Sequence, residues 1–193
     1  GEGELLGPLP PFQLKASIRE ETAAAVRDPL QASVRLDPAQ ALAPYLDAWR
    51  ADPVLFVSQA IKFPPGQTIE KWQAVFLRAV AAHDRVAVRS GHGVGKSTAI
   101  AWLIMWWLLC HHPAKAACTA PTSHQLEDVL WGEIALWHRR LAEPFRSMLS
   151  VKAERVEVVG AEDFCFAAAR TARREQPEAF QGFHSQNMLF LGD

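Results

Sequence analysis

Residues 85–98 constrain this chain more than any other stretch. Arg85-Val86-Ala87-Val88-Arg89 reads as a short β-prone run. It enters a loop holding Gly91, Gly93 and Gly95. Lys96 and Ser97 then open a strongly apolar segment with helical character. Strand, glycine-rich loop and helix in that order form the setting of a phosphate-binding loop. Glycines let successive backbone N–H groups turn toward one anion. Lys96 is placed to reach β- and γ-phosphates, Ser97 to ligate Mg²⁺, and the helix start adds its positive dipole end. The strict loop pattern asks for glycine five places before Gly95, where this chain has Ser90. The competing reading is an ordinary glycine-rich turn that happens to precede Lys-Ser.

At 193 residues the chain is long enough for one domain with a substantial core. A formal net charge of −1 provides no global basic field, so any nucleic-acid contact must be a local patch. The three cysteines are odd in number and lack metal-ligand spacing, which suits reduced thiols. The apolar run at residues 99–110 falls short of the roughly 20 residues that span a bilayer. Being apolar all round, it suits a helix buried against a sheet.

Residues 1–15, rich in glycine and proline, read as an irregular arm, and residues 16–27 as a helix. Asp37-Pro38 and Asp52-Pro53 each place an N-cap acid before a first-turn proline. They predict helices over residues 38–50 and 54–61. Thr68 is expected to cap a helix reaching His83, with Ile69, Trp72, Val75, Phe76, Ala79 and Val80 as its apolar face. Strands are expected at residues 85–89, 116–119, 155–159, 163–168 and 187–191, the third and fourth as a hairpin. A long helix is expected over residues 122–141. Strands alternating with helices argue for a largely parallel sheet covered on both faces. Residues 1–62 form an N-terminal arm and helical preface, and residues 63–193 the core.

Several further residues carry candidate chemistry. The apolar strand Met188-Leu189-Phe190-Leu191 runs through Gly192 into Asp193, an acid placed to serve the Mg²⁺ sphere. The alternative is a simple strand cap. Gln73 has one amide donor and one acceptor that can pair with adenine, against the plainer reading of a surface residue on an amphipathic helix. Thr119-Ala120-Pro121-Thr122 follows the second strand, where open α/β sheets bind ligands, though Pro121 also suits a helix start. Arg170, Arg173 and Arg174 cluster on a turn-rich segment. They are solvated surface or, more sharply, a DNA contact or an arginine finger. The seven tryptophans, mostly at helical spacing, read as core.

Taken together, Trp72-Gln73, the loop from Arg89 to Thr98, Ala120-Pro121-Thr122-Ser123-His124-Gln125 and Gln181-Gly182-Phe183-His184 leading into Asp193 resemble the ATPase domain of phage terminase large subunits. These are the DNA-packaging motor proteins. The resemblance covers residues 50–193. It implies a P-loop NTPase of the additional-strand type, with ATP and Mg²⁺ as cofactors. It also implies double-stranded DNA, a portal protein and a small terminase subunit as partners. A homo-oligomeric ring would work in the cytoplasm of a bacterial host, away from any membrane. It makes Gln73 the adenine reader and Ser90, Gly91, His92, Gly93, Val94, Gly95, Lys96, Ser97 and Thr98 the phosphate-binding set. Lys96 and Asp193 become catalytic, with Ser97 and Asp193 around the metal. Many members carry arginine where this chain has His92. On this reading the sequence is a fragment that stops before the catalytic Glu and the nuclease domain, with little turnover of its own. A superfamily-two helicase fragment shares most of these features. A nucleotide-binding module without turnover is the third reading.

Overall fold

Local chemistry sets the helical part of the chain. The computed structural model describes residues 38–89, 93, 95–120, 125–171 and 185–192, and residues from Pro38 onward form one compact unit. The helix expected over residues 38–50 is two helices, α1 (Pro38–Leu42) and α2 (Leu46–Ala51). Pro44 lies between them. It lacks an N–H and clashes with the preceding turn, so one continuous helix cannot form. Asp52 caps α3 (Pro53–Ala60) as expected, its carboxylate accepting from the Val54 N–H at 3.0 Å. The same carboxylate pairs with Arg78 at 3.0 Å and so ties α3 to α4 (Lys71–Ala82). The cap of α4 is Glu70 rather than Thr68. Its buried line runs through Gln73 and Leu77, leaving Val75 exposed. The helix expected over residues 16–27 lies outside the described residues.

Helix α5 (Lys96–Cys110) is the hub. Trp102, Leu103, Ile104, Met105, Trp106 and Leu108 are all buried. Helix α2 is pinned to it by two bonds. Trp106 Nε1 donates to the Trp49 carbonyl at 2.6 Å, and Arg50 Nε donates to the Cys110 carbonyl at 2.9 Å. The second bond puts a cation on the carbonyl end of α5, where the helix dipole favours it.

The sheet has five strands in the order β2-β3-β4-β1-β5: β1 (Ala114–Ala120), β2 (Leu149–Val151), β3 (Arg155–Val158), β4 (Phe166–Thr171) and β5 (Asn187–Gly192). Strands β4, β1 and β5 are mutually parallel; β2 and β3 add on antiparallel. The molecule is therefore α/β with a mixed sheet. The expected pairing of the third and fourth strands is present. Strand β2 was not anticipated. In β1, Ala116, Ala117 and Cys118 are buried in succession, so both faces of that strand are covered.

Residues 85–89 form no strand, contrary to expectation. Val86 and Val88 are 37% and 43% exposed. Val86 and residues Met188, Leu189, Phe190 and Leu191 of β5 line one cavity of about 600 Å³, so a gap replaces a ladder there. Two valines without a paired neighbour do not make a strand. The long helix expected over residues 122–141 is also divided. Residues Gln125–Trp131 are π-helical and α6 spans Gly132–Arg140, while residues 121–124 lie outside the described set.

The three cysteines are free and buried, and burial pushes Cys110 and Cys118 up to about 12. They are therefore protonated thiols at neutral pH. No described helix is long and apolar enough to cross a membrane.

His111 follows α5 and stacks on Trp107, ring centroids 4.2 Å apart. Burial, with Arg50 adding its charge, lowers its pKa to about 4. The folded value lies below the usual imidazole value near 6.5. The associated stability is therefore present above about pH 6.5 and is lost as pH falls through 4. Urea titrations at pH 7 and pH 4.5 should show wild type losing about 1 kcal/mol more than His111→Phe, after allowing for the ring's partial exposure. Equal losses in both proteins would assign acid sensitivity elsewhere.

Candidate phosphate-binding site

The glycine-rich loop delivers its last residues to the start of α5. Gly93 and Gly95 have φ of +75° and +81°, backbone that side-chain-bearing residues rarely adopt. At Gly95 an added Cβ would also lie 2.9 Å from Gln73 Nε2. Gly95 is the N-cap of α5, so Lys96 and Ser97 occupy its first turn. The free N–H groups and positive dipole end of a 15-residue helix favour an anion there.

A cavity of about 760 Å³ opens at this point. Gly93, Gly95, Lys96 and Ser97 form one wall. Thr119 and Ala120, at the end of β1, and Leu191 and Gly192, at the end of β5, form another. It thus sits at the carboxyl ends of adjacent parallel strands, the usual ligand position in open α/β sheets. The Thr119 hydroxyl is buried and makes no hydrogen bond among the described residues.

Thr98 lines the same cavity. Its hydroxyl donates to Glu133 Oε2 at 2.8 Å, and Trp137 Nε1 donates to the same oxygen at 2.9 Å. Thr98 thereby joins α5 to α6, while Glu133 and Asp128 line the far side of the cavity. Both acids went unnoticed in the sequence. They stand on a helical stretch with no motif around them, and only the fold brings them opposite Lys96.

Gln73 is 4% exposed. Its Oε1 accepts from the Glu70 N–H at 2.9 Å, and its Nε2 donates to the Gly95 carbonyl at 3.1 Å. It is neither a surface residue nor an outward-facing amide. Arg170 lies at the end of β4 in register with Thr119, at the same sheet edge as the cavity, and donates to the Ala169 carbonyl. Ser90, Gly91, His92, Val94, Arg173, Arg174 and Asp193 lie outside the described residues.

Among the described residues no group of three or more His, Cys, Asp or Glu side chains is gathered to hold a metal ion. Ser97 fits a single hydroxyl ligand to Mg²⁺, which commonly keeps water and phosphate oxygens for its other positions. No protein-family model matches the chain, and no curated protein is detectably similar to it.

Proposed function

We propose that residues 90–98 bind the triphosphate of ATP with Mg²⁺, and that the chain is the ATPase domain of a phage DNA-packaging terminase large subunit. One observation carries the nucleotide reading. Two positive-φ glycines lead into Lys96 and Ser97 at the first turn of α5, beside a cavity at the carboxyl ends of parallel strands. Backbone N–H groups of the loop would take phosphate oxygens. Lys96 would neutralise charge at the β- and γ-phosphates, as its position suits. Ser97, with Asp193, would hold the metal, whose chemistry is to offset the charge that builds on the leaving oxygens.

The terminase part rests on the combined motifs in the sequence. Double-stranded DNA, a portal protein, a small terminase subunit and a ring of copies in the host cytoplasm enter with it. Arg170 lies at the carboxyl end of the sheet, beside Thr119 of the cavity, so DNA contact through Arg170 would sit close to the nucleotide. Arg173 and Arg174 enter as DNA contacts from the sequence cluster alone.

Competition against a fluorescent ATP analogue in Mg²⁺ tests the site. ATP and tripolyphosphate are expected to displace the analogue, and adenosine is not, because the recognised group is the phosphate chain. Displacement by adenosine as good as by ATP would contradict the proposal.

A further inference from the structure

We infer that Gln73 is a positioning residue for the phosphate loop rather than a reader of the base: it fixes the peptide plane between Gly95 and Lys96. The inference rests on the phosphate-site reading above. The Gly95 carbonyl accepts from two donors, Gln73 Nε2 at 3.1 Å and the Ala99 N–H at 3.1 Å. A carbonyl oxygen has two lone pairs, so both acceptor positions are filled. A trans peptide is planar and its N–H points opposite to its C=O. Holding the Gly95 carbonyl back toward α4 and into α5 therefore aims the Lys96 N–H out of the helix end, toward the cavity. Gln73 is itself immobilised. Its Oε1 completes a reciprocal capping box with Glu70, and the side chain is buried. Contact is close enough that Gly95 has no room for a Cβ on that side. A buried amide already spent on backbone at both ends is poorly placed to discriminate adenine.

A base reader and a loop brace differ in what they discriminate. Mg²⁺ titrations of ATP, GTP and inorganic tripolyphosphate into the whole chain separate them. Gln73→Met removes the donor without adding charge. It should weaken all three ligands by one common factor of about two- to tenfold, the worth of one hydrogen bond. Gln73→Glu keeps the acceptor that caps α4 but turns a carboxylate toward the Gly95 carbonyl. It should lose at least as much, again uniformly, and carries the test if the methionine variant fails to fold. Loss confined to ATP, with GTP and tripolyphosphate unchanged, would overturn the inference and make Gln73 a base reader. Affinities unchanged for all three ligands would also overturn it. Wild type that binds none of the three would remove the phosphate site itself, and the brace with it.

Discussion

Trp49→Ala should lower the unfolding free energy by about 3–5 kcal/mol, the range for emptying a buried aromatic site. Trp49 is fully buried at 0% exposure. Its ring stacks on Tyr45 at 4.8 Å and meets Phe56 at 5.3 Å and Phe145 at 5.0 Å, both edge-on. Its indole N–H donates to Gln59 Oε1 at 2.7 Å. Truncation leaves a cavity among three aromatic rings and strips a partner from a half-buried amide, two costs that add. Urea midpoints with unchanged slopes measure the effect. The result also decides whether α1–α3 unfold with the α5 hub. A single shifted transition would show one cooperative unit. A loss below about 1 kcal/mol, or an early separate step, would show the helices at residues 38–60 to be loosely attached.

The sequence spoke most clearly where the physics is local. Asp52-Pro53 needs nothing beyond its neighbours to start a helix, and α3 starts there. The all-round apolar run at residues 99–110 could only be buried, and α5 is the centre of the core. The run at residues 85–89 shows the opposite case. Its residues favour β structure, yet a strand exists only through a partner, and β5 stands across a gap. The division of the helix before Gly132 was equally hidden, because a π-helical stretch changes hydrogen-bond register without changing residue type.

In the candidate site Gly93, Gly95, Lys96 and Ser97 were legible as a group because they are neighbours in sequence. The contacts of Gln73 were not. Its donor meets a carbonyl 22 residues away, and no periodicity reports that. Glu133 was missed for the same reason, since its bond to Thr98 spans 35 residues. Thr98 counts in the motif by position, but the fold gives its hydroxyl to α6.

Lys96→Ala should weaken MgATP binding by about 10- to 100-fold, the equivalent of 1.5–3 kcal/mol for a hydrogen bond to a charged group. Lys96 lines the cavity and has no ion-pair partner among the described residues, so its ammonium does no structural work there. Alanine is also the better helix former in the first turn of α5, which keeps the fold intact. Thermal melts of the two free proteins are expected to coincide within a few degrees. Addition of MgATP is expected to raise the melting temperature of wild type alone, because a ligand that binds only the native state stabilises it by mass action.

The most direct measurement is an equilibrium titration of a fluorescent ATP analogue with Mg²⁺ into wild type and Lys96→Ala at equal protein concentration. Saturable binding to wild type with a 10- to 100-fold loss in the variant is the predicted result. Equal affinity in two folded proteins would contradict the assignment of the loop at residues 90–98 as a triphosphate site.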